Sequence, residues 1–273
     1  FPPWMRSCIN MLKYQTNVSI AGIVFKIRSA RQAQINWFKK QYRRYLADGK
    51  PDIVVCLHSG EYAPGVSKRK PILTRPFCLY ADPDSSCNFR VYSRENYIPL
   101  GTLMRYLVSL NLFERNGFLM HSCGMVLKGN AYVLAGPSGA GKTTLARLIK
   151  RVSAVLSDES TAVSLKNKKY YAYATPFFGD FGKISSNRKA PLKAILFLKQ
   201  SKRFCHRRLS RPEASVSLVK NIFLSKADLR YNINKVLQIS AQAAGRIPCY
   251  ELEFLPHQSI WKYIENRISP GAR

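Results

Sequence analysis

One segment of eight residues constrains the fold of this chain more than any other feature, because it matches the pattern G-x-x-x-x-G-K-[ST] without a departure. An apolar run at residues 131–135 predicts a short buried strand before it, and residues 144–150 predict the first turns of a helix after it. A strand, a glycine-rich loop and a helix in this order predict a phosphate-binding loop (P-loop). The residues that we expect to contact phosphate are Gly136, Pro137, Ser138, Gly139, Ala140, Gly141, Lys142, Thr143 and Thr144.

The chemistry of this loop gives two side chains a role. Main-chain N–H groups around the glycines, together with the positive end of the following helix, would hold phosphate oxygens. Lys142 would reach the β- and γ-phosphates of a nucleotide, and Thr143 would offer its hydroxyl to Mg²⁺. ATP and Mg²⁺ are therefore the expected ligands.

Charge suggests the kind of partner. The 273 residues include 44 Lys and Arg against 15 Asp and Glu, which gives a net charge of +29. Such a chain attracts polyanions such as nucleotides, acidic peptides and nucleic acid. Basic runs without any acid cover residues 25–45 and 181–212, and each is either a solvated face or a partner-binding surface. Neither run shows an RNA-recognition or helix-turn-helix signature.

The cysteines and the hydropathy of the chain predict its cellular compartment. The seven cysteines are odd in number and include no Cys-x-x-Cys pair, which predicts free thiols in a reducing cytoplasm instead of a zinc ribbon or a disulfide framework. No run of about 18 apolar residues predicts a membrane-spanning helix. The first residues lack the pattern of a secretory signal. A cytoplasmic location is expected.

Apolar periodicity predicts two domains. Residues 1–95 predict a small α+β N-terminal domain with strands near 17–27, 51–57, 77–80 and 89–92 and a helix over 31–47. Residues 96–273 predict an α/β domain with a mixed central sheet around the P-loop. Its expected elements are a helix at 100–112, a strand broken by glycine at 117–127, strands ending near 159, 198 and 254, helical pieces over 212–246 and a terminal helix at 258–267.

Two adjacent acids are the strongest catalytic candidates outside the loop. Asp158 and Glu159 end an apolar strand, fifteen positions after Thr143, which leaves room for one helix and one strand. We expect Asp158 on the strand next to the loop strand, holding Mg²⁺, and Glu159 as a base toward an attacking hydroxyl or water. Adjacent residues on a strand point to opposite faces, so both serve one site only if the strand ends or bends there. Ordinary exposed turn acids are the alternative.

Three weaker features surround this constellation. His121 lies on the strand expected to pair with the loop strand, where its ring would sit beside the γ-phosphate, although a lone histidine is more often structural. The aromatic and glycine-rich residues 175–182 would close over nucleotide or acceptor. Arg188 would neutralise charge on the transferring phosphoryl group. A structural turn and a solvated arginine are the alternatives.

The order and spacing of His121, the following hairpin, the P-loop and the Asp158-Glu159 pair resemble the catalytic domain of HPr serine kinase/phosphorylase and its stand-alone relatives. The resemblance covers mainly residues 98–200. It implies a sheet like that of HPr kinase and phosphoenolpyruvate carboxykinase, and a functional role for His121. It also implies that one acid of the pair is the base toward a serine hydroxyl while the other holds Mg²⁺. Glu159 stands where this family usually has Asp, and the glycine-rich signature of the bifunctional enzymes is not found, which favours a kinase only.

The resemblance implies an ATP- and Mg²⁺-dependent kinase that phosphorylates a serine hydroxyl of a small protein or peptide. Some shorter relatives accompany ribosomally made peptides, lasso precursors among them, and phosphorylate the peptide on serine. The basic surface would suit an acidic peptide or small-protein acceptor. Two alternatives stay open. One is a small-molecule kinase with the same site. The other is an NTPase stimulated by nucleic acid, which the net positive charge would bind.

Overall fold

The structure is a computed structural model and describes residues 12–59, 71, 78–81, 87–93, 99–149, 154–179, 187–224 and 226–268. The chain divides into two compact units, Phe1–Arg105 and Tyr106–Arg273. Each unit has its own sheet with parallel and antiparallel strand pairs, which confirms the mixed α/β class in its coarse form. The predicted division between residues 95 and 96 stays a prediction. The sequence also predicts a turn-rich loop at residues 60–70 and a turn at 82–85, and both lie outside the described residues.

Among its described residues, the N-terminal unit has a five-stranded sheet with a helix packed against the first two strands. Its elements are β1 (Tyr14–Ile20), β2 (Ile23–Ser29), α1 (Gln32–Gln41), β3 (Ile53–Ser59), β4 (Cys78–Ala81) and β5 (Phe89–Ser93). The strand order is β1-β2-β3-β5-β4, with β2, β3 and β5 parallel. Residues 17–27 form two antiparallel strands that turn at Ala21-Gly22.

One disulfide in this unit corrects the expectation of free thiols. Cys56 on β3 and Cys87, just before β5, are bonded, with their Cα atoms 6.2 Å apart. They are 31 residues apart in the chain, and the parallel pairing of β3 with β5 brings them together. Spacing alone gives no sign of that pairing. The other described cysteines, Cys78, Cys123, Cys205 and Cys249, form no disulfide.

The C-terminal unit contains an eight-stranded sheet that holds the P-loop sequence at the end of a central strand. Its strands are β6 (Phe118–Leu127), β7 (Asn130–Ala135), β8 (Ala154–Ser157), β9 (Ser160–Lys166), β10 (Lys169–Tyr173), β11 (Lys189–Gln200), β12 (Cys205–Arg208) and β13 (Cys249–Phe254). The order is β10-β9-β6-β7-β11-β13-β12, with β8 paired to β6. β10 also pairs with the first residues of β11, which closes β10, β9, β6, β7 and β11 into a ring. β7, β11 and β13 are parallel to one another, so their carboxyl ends share one sheet edge.

Helices cover both faces of this sheet. They are α2 (Leu100–Glu114, which begins in the N-terminal unit), α3 (Lys142–Ile149), α4 (Arg211–Asn221), α5 (Lys226–Ala244), α6 (Ile260–Tyr263) and a π-helical turn (Ile264–Ile268). Ala131 and Val133 of β7 join one apolar cluster, while Tyr132 and Leu134 join another on the opposite face. Residues 131–135 of β7 form an apolar run, because both faces of the strand are buried. In the described part of the chain, no helix is long and apolar enough to cross a membrane.

The strand β6 differs from its prediction. It was expected to break at Gly124, but it runs without interruption from Phe118 to Leu127. A Cβ at Gly124 would lie 2.8 Å from Oγ1 of Thr161 and 3.1 Å from Cβ of Leu156. The glycine therefore serves the close approach of β8 and β9 to β6, and it does not end the strand.

Candidate functional site

The loop between β7 and α3 has the geometry that its glycines predict. Residues 136–141 connect the end of β7 to Lys142, the first residue of α3. Gly141 has φ of +93°, and a Cβ at this position would lie 2.7 Å from Cζ of Phe254 at the end of β13. Both the backbone conformation and the close contact require glycine. The loop is thus packed against the carboxyl end of a neighbouring parallel strand.

Lys142 lies folded into this loop. Its Nζ donates hydrogen bonds to the carbonyl oxygens of Gly136, at 2.6 Å, and Pro137, at 2.9 Å. The residue is 8% exposed, and burial lowers the pKa of its ammonium below the ordinary value. The two carbonyls keep the buried ammonium hydrogen-bonded. A phosphate that entered the loop would compete with them for this charge.

The two acids sit on a bend that Ser157 fixes. The Ser157 hydroxyl accepts hydrogen bonds from the N–H groups of Glu159, at 3.3 Å, and Ser160, at 2.9 Å, and donates to the carbonyl oxygen of Phe177. Because the chain bends between β8 and β9, the side chains of Asp158 and Glu159 line the same cavity. The predicted condition for joint action is therefore met.

The strand that carries these acids is not the one expected. Asp158 was expected on the strand next to the loop strand, but β8 pairs with β6, and β6 lies between β8 and β7. After α3 the chain passes the β6–β7 hairpin before it forms β8, so β8 pairs with the outer side of β6. Asp158 still reaches the loop side: it is 4% exposed, and its Oδ1 accepts a hydrogen bond from the N–H of Gly179 at 3.1 Å.

A cavity of about 510 Å³ joins these groups. It is lined by His121, Ser138, Gly139, Gly141, Lys142, Thr143, Thr144, Asp158, Glu159, Gly179 and Gln200. Its size falls in the range of small-molecule sites. Gly136, Pro137 and Ala140 belong to the loop but are not among the lining residues. The sequence-predicted loop, the acid pair and His121 thus share one space.

Cys123 lies buried beneath the cavity and is not a candidate nucleophile. Cys123 on β6 is fully buried, and burial together with the nearby Asp158 charge raises the pKa of its thiol to about 12. A thiol with this pKa stays protonated at neutral pH and is a poor nucleophile. Cys123 is a core residue below the site.

Two lining residues were not predicted individually. Gln200 is the last residue of β11, and its Nε2 donates a hydrogen bond to the carbonyl oxygen of Gly139 at 2.6 Å. The signal that could have found it is its position at the carboxyl end of a strand parallel to β7, where ligands of α/β sheets bind. Gly179 belongs to the aromatic loop that the sequence analysis marked as a whole, part of which, 180–182, lies outside the described residues.

The structure does not bring Arg188 to the cavity. Arg188 is exposed and directly precedes β11, where its carbonyl oxygen accepts a hydrogen bond from the N–H of Ala174. Since β11 is parallel to β7, the start of β11 and the P-loop lie at opposite edges of the sheet. The predicted role for Arg188 in phosphoryl transfer therefore has no support from this placement.

Comparison with known proteins gives the family. A family model described as SynChlorMet cassette protein ScmC matches residues 94–269, more than half of the chain. The chain belongs to this family. No curated protein matches in sequence. Among solved structures, the Hpr(Ser) kinase/phosphatase from Coxiella burnetii is similar at 10% sequence identity and a TM-score of 0.34, with 55% of this chain and 87% of that chain covered.

Every cavity-lining residue of this ScmC-family chain falls within the matched range. Among the described residues, no group of three or more His, Cys, Asp or Glu is arranged to hold a metal ion. The cavity does offer the Thr143 hydroxyl and the Asp158 carboxylate. Mg²⁺ prefers oxygen ligands and is usually bound by one or two carboxylates together with substrate phosphates. The donor set fits a cation that arrives with a nucleotide.

Proposed function

We propose that this ScmC-family chain is a kinase that uses ATP and Mg²⁺ to phosphorylate a serine hydroxyl of a small protein or peptide. One observation carries the proposal: Lys142, Thr143 and the acids Asp158 and Glu159 line one cavity. The loop supplies groups for phosphate. The acid pair supplies a cation ligand and a base, which together are the parts that phosphoryl transfer requires.

Each side chain has a role in this proposal. Lys142 and the loop N–H groups bind phosphate oxygens. Thr143 and Asp158 hold the cation, which when bound offsets the charge of the phosphates. Glu159 is the base, because it is less buried than Asp158 and an incoming hydroxyl can reach it from solvent. His121 is exposed at the cavity and would orient the acceptor.

A macromolecular acceptor suits the position of the cavity. Ser138, Gly139 and Gln200 line it and are themselves exposed, so a hydroxyl on a peptide can approach without entering the protein interior. The net charge of +29 would attract an acidic acceptor. A small-molecule acceptor, and hydrolysis stimulated by nucleic acid, are the competing outcomes of the test.

The test is transfer of label from γ-labelled ATP to components of a host extract. Lys142→Ala is expected to abolish transfer, at least about a thousandfold, because the variant loses a charge aimed at the transferred group. Lys166→Ala is the matched control, since it removes an exposed lysine at the end of β9. Circular dichroism of both variants checks folding. Label that appears only as free phosphate, or equal transfer by both variants, would contradict the proposal.

A further inference from the structure

A strongly basic stretch of the C-terminal unit begins beside the cavity. Residues 199–211 hold six Lys and Arg and no acid. They form the end of β11, a turn, the strand β12 and the start of α4. None of these cations lines the cavity, so the proposed phosphoryl transfer leaves them without a role.

The turn begins beside the P-loop. Gln200 lines the cavity and donates a hydrogen bond to Gly139, and the turn follows it directly. The N–H of Ser201 donates to the carbonyl oxygen of Phe254 at 2.8 Å, and the Ser201 hydroxyl donates to Oε2 of Glu253. These bonds fix the turn at the sheet edge where the P-loop lies. Lys202 and Arg203 are exposed on it.

The strand that follows has a free edge. β12 pairs with β13 and stands last in the strand order, with no further strand beside it among the described residues. The N–H of Leu209 donates to the carbonyl oxygen of Cys249, in register with the β12–β13 ladder. Hydrogen-bonded pairs alternate in an antiparallel ladder, so the main-chain groups of His206 and Arg208 point away from β13. These N–H and C=O groups are therefore placed to pair with an added strand.

Side-chain contacts hold β12 and the residue before it in place. The His206 ring nitrogen Nδ1 and the Tyr263 hydroxyl are 2.9 Å apart, and the Phe204 and Tyr263 rings have centroids 5.4 Å apart. Arg207 is paired with Glu213 across 2.9 Å. Lys202 and Arg208 form no ion pair with any described residue, so the edge carries excess positive charge.

We propose that the free edge of β12 and the turn before it bind an extended acidic segment of the phosphoryl acceptor as an added strand. The proposal rests on the proposed function. Main-chain groups at His206 and Arg208 would supply hydrogen bonds, and Lys202, Arg203 and Arg208 would supply charge complementarity. A peptide fits both features, whereas nucleic acid would use the charge and leave the ladder groups unpaired.

The geometry also limits where the serine lies. Cys205 is level with Glu253 on β13 and with Lys199 on β11, so a segment paired with β12 emerges at its Cys205 end toward the cavity edge. Glu159 lies between β8 and β9, and both strands pair with β6. An added strand would lie five strand spacings, roughly 24 Å, from β6. About seven extended residues span that distance. The acceptor serine is therefore expected about seven residues from the acidic segment.

The experiment measures binding to the full chain of a labelled peptide in which Glu and Val alternate. We expect the variant Lys202→Gln/Arg203→Gln/Arg208→Gln to bind it about tenfold more weakly at low salt, from three lost surface charge interactions. The matched control is Lys166→Gln/Lys168→Gln/Lys169→Gln, which removes three exposed lysines from β9, β10 and their turn and should change binding less than about twofold. Two peptides, N-methylated at one or the other set of alternate residues, test the main-chain hydrogen bonds. The peptide whose methyl groups face the edge of β12 should bind weakly.

Each outcome decides the proposal. Equal binding by the two triple variants, or undiminished binding of both N-methylated peptides, overturns it. Duplex DNA that binds more tightly than the acidic peptide, with the same loss in the edge variant, assigns the edge to nucleic acid and also overturns it. Binding of an ATP analogue and label transfer are measured on the same samples. Failure of transfer with intact, charge-dependent peptide binding contradicts the proposed function and leaves the edge proposal standing.

Discussion

The two units of this chain bury nitrogen-bearing side chains in opposite ways. In the P-loop, the Lys142 ammonium donates to two carbonyl oxygens within 2.9 Å. In the N-terminal sheet, Nε2 of His58 and Nε of Arg28 are buried with no hydrogen-bond partner among the described residues. Burial and the nearby Arg90 charge lower the pKa of His58 to about 4. The P-loop thus stabilises a buried ammonium, whereas strand β3 keeps a buried imidazole neutral.

The difference follows from what the backbone offers in each place. His58 lies on β3 opposite Tyr92 on β5, and the two rings stack with centroids 4.9 Å apart. Carbonyl groups in a sheet interior are used in the ladder, so they are not free to accept from side chains. A glycine-rich loop leaves its carbonyls outside any ladder and can turn them toward an ammonium. The loop therefore provides acceptors for a buried ammonium, whereas the sheet provides none for the Nε2 atom of His58.

The largest expected effect tests whether the charges at the P-loop are functional. Asp158→Asn keeps an oxygen that can accept from the N–H of Gly179 but removes the negative charge. We expect phosphoryl transfer to fall about a thousandfold, because the cation ligand is weakened and the charge balance of the site is lost. Steady-state transfer at several Mg²⁺ concentrations measures it. Asp48→Asn, which alters an acid in the N-terminal unit, is the control. Wild-type rates in Asp158→Asn would show that the acid is structural.

A second change tests the packing that shapes the loop. Gly141→Ala would place a Cβ against Phe254 at a positive φ, so the loop must shift away from β13. We expect nucleotide affinity to fall about a hundredfold, since loop amides misplaced by an ångström no longer converge on phosphate. Titration with a fluorescent ATP analogue measures it. Gly129→Ala is the matched control, because Gly129 also has positive φ, at +79°, but has open space around its Cβ position. An equal effect of both changes would mean that backbone strain alone is responsible.

The comparison also shows what sequence can predict. The loop between β7 and α3 was predictable because its eight-residue motif is consecutive in the sequence. Lys142 and Thr143 belong to this motif, whereas the acid pair was predicted separately, from its position at the end of an apolar run. Local patterns also found the β6–β7 hairpin, the helix at Leu100–Glu114 and the strand at Cys249–Phe254.

Features that depend on strand order were not predictable. The Cys56–Cys87 disulfide needs β3 beside β5, and the place of β8 next to β6 depends on how the chain returns from α3. Gln200 reaches the loop only because β11 runs parallel to β7. Such neighbours are set by long-range packing, which the local periodicity of one sequence does not encode.

The smallest expected effect tests whether the buried His58 ring is neutral. His58 has a pKa of about 4 in the folded chain against 6.5 for an unperturbed imidazole, so between these values the unfolded chain binds more protons. The stabilising effect of the neutral ring is therefore complete above pH 6.5 and is lost as pH falls toward 4. We expect a loss of about 2 kcal/mol between pH 7 and pH 5. Urea unfolding at the two pH values measures this loss. The variant His58→Gln should lose this part of the pH dependence. The control His257→Gln, which changes an exposed histidine, should keep it. If His58→Gln unfolds with the same pH dependence as the wild type, His58 is charged in the folded sheet, and the N-terminal unit must then supply it with an acceptor as the P-loop does for Lys142.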